Sequence, residues 1–408
     1  MRRAFFHYIY CVFFLILFFS LGMIFVYQIP NTALEPQYSK SVDQLEKEET
    51  YPNLLFSADG AILDNFMDKI MIRTCSISEA YDNMIHAAFD NNGYPRYWNG
   101  YLLTLRPFLS QFSYQQIRYI NMFLLITAFC FCFSGIQRKI NSAAAAGFAV
   151  SIIACFFVFI SESLQYFSVF FILFLTILVL LYSPFFQTAH KTTLLLLSVG
   201  MITNFFDLLT APLITLGIPL IIIICLNYHN NEKSTFLNQL VLIVTHSISW
   251  CLGYSLCWIS KWAIGSLILK TNVFEDALKT AQFRVYGSEQ YPLDRKLMLN
   301  LNFNSYFFAK GHKPAIFIAV IIFILLLLMV FRHKKNWYNI LFPVLFVGLT
   351  PYVWYFAFAN HSQLHYFYTF RIQAITLFSV FASISCAIDW DRLAQRKENT
   401  NFIYSDKK

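Results

Sequence analysis

The sequence predicts an all-α integral membrane protein of about ten transmembrane helices with a large first extracytoplasmic loop. Three observations predict it. Hydrophobic residues make up 58% of the 408 positions and charged residues 13%, more apolar than an ordinary soluble domain, and mean hydropathy is +0.54. Long apolar runs recur along the chain, interrupted early by one polar stretch over 28–116. The basic residues fall in alternate short connections, as the positive-inside rule requires.

The first run, 5–27, follows Arg2 and Arg3. It is long enough to span, and no small-x-small cleavage site follows it, so a retained first transmembrane helix over 1–27 is expected. Loop 1 occupies 28–116. Helices two to seven are expected within 117–258, at 117–135, 143–160, 167–186, 193–206, 209–226 and 236–258. The stretch 193–226 is one apolar run too long for a single crossing of a core about 30 Å thick. Asn204, Asp207 and Pro212 divide it into two helices meeting at a turn. A second long external loop covers 259–313. Helices eight to ten follow within 314–388, at 315–331, 338–358 and 372–388, and 389–408 forms a cytoplasmic tail.

With the N-terminus inside, Arg138, Lys139, His190, Lys191, Lys233, the 332–335 cluster, Arg392, Arg396 and Lys397 all fall on the cytoplasmic side. Both termini are then cytoplasmic. Loop 1 carries 11 Asp and Glu against 6 Lys and Arg, a net −5, so it belongs outside. The overall charge of +8 therefore reports topology and anionic lipid, and no nucleic-acid partner is expected. The second loop holds 8 basic against 4 acidic residues. Lys270, Lys279, Arg284, Arg295 and Lys296 either approach headgroups or form a solvated face. Of the nine cysteines only Cys75 lies in loop 1, so no disulfide is expected within it, and no CxxC or zinc spacing occurs.

Four polar segments carry candidate chemistry. In the first, Leu63, Phe66, Met67, Ile70 and Met71 repeat at helical spacing, which predicts an amphipathic surface helix with Asp64 and Asp68 one turn apart on its other face. Two carboxylates at that spacing call for a cation between them: a divalent metal, a substrate ammonium, Lys69 or Arg73. The plainer reading makes Asp64 a helix cap and Asp68 a solvated side chain. The second segment places Arg96, Tyr97, Trp98 and Asn99 among Gly93, Tyr94, Pro95, Gly100 and Tyr101, with Arg106 and Arg118 beyond. Aromatic faces beside guanidiniums suit sugar rings and phosphates; an interfacial aromatic belt is the alternative. The third is Asp207, an ionisable residue between apolar runs, read as functional or as the cap of the following helix. The fourth holds His361 and His365 one turn apart and Arg371 at the start of the last helix. With no third ligand nearby, a histidine hydrogen bond to phosphate, hydroxyl or backbone is expected over metal binding. Glu162 falls in an external turn.

With its long first external loop, early acidic motif at Asp64 and polar external turns, the chain resembles the type C class of polytopic membrane glycosyltransferases. The resemblance is architectural and implies a polyprenyl-phosphate-linked sugar as donor and a glycan, lipid or protein of the bacterial cell envelope as acceptor. It implies Asp64 as base or metal ligand, with Asp68 standing in for the second member of an acidic pair, since Asn65 follows Asp64 directly. It also implies donor phosphate binding by Arg96, Arg106 or Arg371. A divalent cation is the one cofactor left open. Short connections and no eukaryotic retention signal suit a bacterial plasma membrane. Two other classes fit the same pattern: a transporter or flippase of a lipid-linked glycan using Asp207, Glu162 and His365, and a noncatalytic envelope-assembly subunit.

Overall fold

A computed structural model describes residues 2–55, 58–76, 83–230, 234–307 and 313–392; Lys233, Arg396 and Lys397 lie outside the described residues. Those residues form helices joined by turns, with isolated bridges and no strands among them. Helix α1 (Arg2–Val26) leads into four helices of loop 1: α2 (Asn31–Lys47), α3 (Asn65–Thr74), α4 (Met84–Asp90) and α5 (Leu102–Leu109). The bundle continues through α6 (Tyr114–Lys139), α7 (Ser142–Ile153), α8 (Phe157–Ile160), α9 (Leu164–Tyr182), α10 (Ala189–Phe206), α11 (Ile214–Asn230) and α12 (Phe236–Leu269). The second loop contributes α13 (Val273–Tyr286) and α14 (Arg295–Phe307). The rest is α15 (Lys313–Phe331), α16 (Tyr338–Gly348), α17 (Thr350–Ala357), α18 (Ala359–Leu364), α19 (Tyr366–Thr369) and α20 (Ala374–Ala387).

Among the described residues seven helical segments are long and apolar enough to cross a membrane, and 142–153 and 214–230 are shorter apolar helices. The run expected at 143–160 is broken by Phe156, whose φ of 58° ends α7 and restarts the chain as α8. Outward-facing Phe13, Phe123 and Phe331 suit a lipid environment.

Two glycines set the tightest packing. A Cβ on Gly200 would lie 2.2 Å from the Trp250 carbonyl oxygen, and one on Gly253 would lie 2.1 Å from that of Leu197. Small residues at these positions let α10 and α12 touch backbone to backbone, the usual means of helix association where lipid removes the hydrophobic drive. At 34 residues and about 1.5 Å per residue, α12 exceeds the thickness of a bilayer core. It continues to Leu269 where the sequence suggested a span ending at 258. Its extension meets loop 1: Lys261 Nζ donates to the Phe89 carbonyl at 2.8 Å and Trp262 Nε1 to that of Arg96 at 2.9 Å.

Loop 1 is fixed to the bundle by polar contacts. Arg118 of α6 pairs with Glu48 at 2.9 Å and donates through Nε to the Glu162 carbonyl at 2.8 Å; Asn65 Nδ2 reaches Glu48 at 3.0 Å. Helix α3 packs Asp68, which the plainer reading made a solvated side chain, against the bundle. Phe66 and Ile70 are exposed, whereas Asn65, Asp68, Met71, Ile72 and Thr74 are buried. The reason is Asp68, which caps the start of α9: it accepts from the backbone N–H groups of Leu164 at 2.9 Å and Gln165 at 3.2 Å, from Ser163 Oγ at 3.1 Å and from Tyr114 OH at 2.6 Å. These four hydrogen bonds offset the cost of burying the carboxylate.

Candidate functional site

The site is assembled at the end of the bundle where loop 1, the turn after α7, the turn after α10 and the start of α20 meet. Asp64 stands just before α3 as its N-cap, Oδ1 accepting from Met67 N at 3.0 Å. No described residue donates to its second oxygen. The side chain is buried, only 3% exposed, and burial, aided by Asp68, pushes its carboxyl up to about 7 against the Met67 hydrogen bond. A carboxyl that changes charge near neutrality, with one oxygen free, has the requirements of a general base.

On the other side of Tyr368 lies a basic pocket. Its volume is 420 Å³ and it is lined by Arg96, Lys279, Thr280, Phe283, Arg284, His361, Leu364 and His365. Tyr368 is within electrostatic reach of both Asp64 and Arg284. It stacks on His365 with ring centroids 5.1 Å apart and faces Tyr166 at 5.9 Å. Tyr166 OH in turn donates to the Ile62 carbonyl at 3.2 Å. One aromatic column thus runs from the strand of chain before Asp64 to the pocket.

Each cation of the pocket is positioned differently. Arg96 pairs with Asp276 of α13 at 2.8 Å and lies 4.2 Å above the Tyr94 ring; its buried Nε has no partner among the described residues. Arg284, also from α13, sits 5.5 Å from the centroid of Tyr97, and Tyr97 stacks on Tyr94 at 5.5 Å. Lys279 is exposed and pairs with Glu275 at 2.7 Å. His361 donates through Nε2 to the Leu209 carbonyl at 2.9 Å. Burial, with Arg284 beside them, pulls His365 down to about 4 and His361 well below its ordinary value, His361 being further lowered by His365. Both imidazoles are neutral near pH 7 and act as hydrogen-bonding groups, while the arginines and Lys279 supply the charge.

The structure brings Arg96, His361 and His365 together in the pocket, sets Tyr97 beside Arg284, and places Asp64 on the other side of Tyr368. It turns the other sequence candidates elsewhere. Arg371 gives Nε to the Cys155 carbonyl at 3.2 Å, one Nη to that of Phe367 at 3.1 Å and the other to that of Gly60 at 3.2 Å. Arg106 donates to the carbonyls of Val26, Cys75 and Ile29, closing the end of α1. These guanidiniums hold backbone, because buried carbonyls beyond helix ends need donors. Trp98 is packed between Phe19, Phe89 and Phe205 and donates Nε1 to the Cys257 carbonyl at 2.8 Å. Asn99 is buried with φ 53°, a left-handed turn position that Asn tolerates. Gly100 N follows it onto the Phe205 carbonyl at 2.9 Å. Asp207 closes its own turn, receiving the Thr210 N–H at 3.2 and 3.0 Å. Burial raises its carboxyl to about 7 against those hydrogen bonds.

Asp64 and Asp68 do not fit a shared divalent cation. Both Asp68 oxygens already hold donors, and among the described residues no three His, Cys, Asp or Glu side chains stand close enough to ligate a metal. Sequence reasoning gave Arg284 no more weight than its basic neighbours and passed over Tyr368 and Tyr166. Arg284 and Tyr368 sit on segments whose approach to loop 1 depends on tertiary packing; the one local signal was the crowding of aromatics around His365. Comparison of the chain with protein families, curated proteins and solved structures finds no match, so the reading of the site rests on its own geometry.

Proposed function

We propose that the protein is a membrane glycosyltransferase that moves a sugar from a polyprenyl-phosphate-linked donor to a cell-envelope acceptor on the outer face of the membrane. The observation that carries the reading is the pairing of Asp64, titrating at about 7 with one oxygen free, with a basic pocket across Tyr368. Glycosyl transfer from a lipid phosphate needs a base on the acceptor hydroxyl and cations on the departing phosphate. Asp64 takes the acceptor proton as the hydroxyl oxygen bonds to the anomeric carbon. The bond from that carbon to the phosphate oxygen breaks, and Arg96, Arg284 and Lys279 receive the phosphate charge, with neutral His365 within hydrogen-bonding reach of the same pocket. The phosphate leaves as an anion and needs no proton.

An apolar groove of 310 Å³ lined by Met71, Leu105, Phe108, Ile117, Phe171 and Phe206, among others, supports lateral entry of a lipid chain from the bilayer. In this reading the chain spans about ten times, counting the shorter apolar helices, with both termini cytoplasmic in a bacterial plasma membrane.

The test is transfer of radiolabelled sugar from polyprenyl-phosphate donors to membrane acceptors by purified wild type, Asp64→Asn and Arg284→Ala, with and without EDTA. Transfer by wild type that both substitutions abolish is the expected result, and insensitivity to EDTA accompanies it. No transfer from any donor overturns the reading and favours transport of a lipid-linked glycan.

A further inference from the structure

The end of the bundle opposite the candidate site carries a second pocket, and two thiols meet in its wall. Its volume is 640 Å³, and Asn141, Cys225, His229, Lys334, Cys386 and Trp390 are among its lining residues. Cys225 belongs to α11 and Cys386 to α20, distant in sequence, yet these helices pack together and both side chains line this one pocket. Both are buried, both are free thiols, and both border the pocket. Asn141 Nδ2 lies 4.0 Å from Cys386 Sγ, and the Lys334 backbone N–H binds the Ala387 carbonyl at 2.8 Å, which brings a cationic residue to the same wall.

We propose that Cys225 and Cys386 form a redox modification site that closes to a disulfide on reaction with a small peroxide entering through this pocket. Cys386 Sγ attacks one peroxide oxygen, the O–O bond breaks, and the departing hydroxide takes a proton to leave as water. Cys225 Sγ then attacks the sulfenic sulfur, the S–O bond breaks, and a second water leaves. Two thiols and one hydrogen peroxide give one disulfide and two waters, the sulfurs losing the two electrons that the peroxide gains. Asn141 and Lys334 are the polar groups beside the attacking sulfur, and a thiol in such surroundings is more reactive than one enclosed by hydrocarbon.

The location gives the bond a mechanical consequence. The chain entering α11 comes from the turn containing Leu209, and the chain entering α20 comes from the segment containing His361 and His365; His361 already joins the two at that end. A disulfide at the other ends fixes the α11–α20 seam at both extremities. The proposal is independent of which reaction the candidate site performs.

The test treats the full-length protein in lipid nanodiscs with hydrogen peroxide, alkylates residual thiols and identifies peptides by mass spectrometry without reduction. The expected product is a peptide pair joined through Cys225 and Cys386, two hydrogens lighter than the separate peptides and released by dithiothreitol. It is absent from Cys225→Ser and Cys386→Ser, and Cys225→Ser accumulates a sulfenic acid at Cys386 that a dimedone-type probe captures. Full alkylation of both cysteines at a peroxide concentration that oxidises the exposed Cys130 overturns the proposal, as does oxidation of either thiol to sulfinic or sulfonic acid without the joined peptide.

Discussion

The Tyr114 hydroxyl donates to Asp68 at 2.6 Å, across the interface between loop 1 and the bundle. That bond belongs to a set of four that fills Asp68, while Asp64, one turn earlier, accepts one side-chain hydrogen bond among the described residues, at Oδ1. Two carboxylates that look alike in sequence therefore divide into one whose oxygens are both engaged and one with an oxygen to which no described residue donates.

Exchange at these two positions should separate stability from activity. Asp68→Ala leaves buried donors from Ser163, Leu164 and Gln165 unmatched and should cost about 3 kcal/mol or more, seen as a large fall in the thermal midpoint in micelles. Asp64→Asn keeps an acceptor for Met67 N and should change stability by less than about 1 kcal/mol near pH 4, where the Asp64 carboxyl is protonated, while removing sugar transfer. Equal loss of stability in both variants would contradict the division.

The raised carboxyl of Asp64 has a definite consequence with pH. Its folded value of about 7 lies above its ordinary 3.8, so its contribution to stability is complete below about 4 and is lost as pH rises through 7. Asp64→Asn should therefore gain stability relative to wild type across that interval, and the wild-type rate of transfer should rise with an apparent pKa near 7. A stability difference that does not vary between pH 4 and 8 contradicts the assignment.

His365 should show the opposite dependence. Its value falls from 6.5 to about 4 on folding, so its contribution is complete above 6.5 and is lost as pH falls through 4. His365→Gln should gain on wild type as the solution is acidified from 6.5, measured by thermal unfolding at a series of pH values.

The arginines should also divide. Arg284→Ala should lower transfer by about ten- to a thousandfold, the usual range for removing one group that stabilises developing charge, with a small change in stability. Arg371→Ala exposes the carbonyls of Cys155, Phe367 and Gly60 as unpaired acceptors and should lower stability by about 3 kcal/mol or more. Folded yield and transfer rate, measured for both variants, test the contrast.

Gly60 lies where these groups converge, and a Cβ there would sit 2.3 Å from Phe156 Cε2 and 2.8 Å from Phe370 Cζ. Gly60→Ala should cost about 1–3 kcal/mol through overpacking and disturb the chain leading to Asp64, visible as a lower thermal midpoint together with reduced transfer.

Membrane character, the polar first loop, the division of 193–226 at Asn204 to Pro212 and the cap at Asp64 were all legible in the sequence, because hydropathy and capping depend on neighbours along the chain. Tertiary structure alone decided that Asp68 is buried, since only folding brings Tyr114 and the start of α9 to it. It also decided that Arg106 and Arg371 bind carbonyls while Arg284 reaches the pocket. A guanidinium's role depends on which acceptors surround it after packing. Arg96 and Arg284 approach one another because α13 crosses over Tyr94 and Tyr97, an encounter between segments whose separation in the chain leaves no periodic trace.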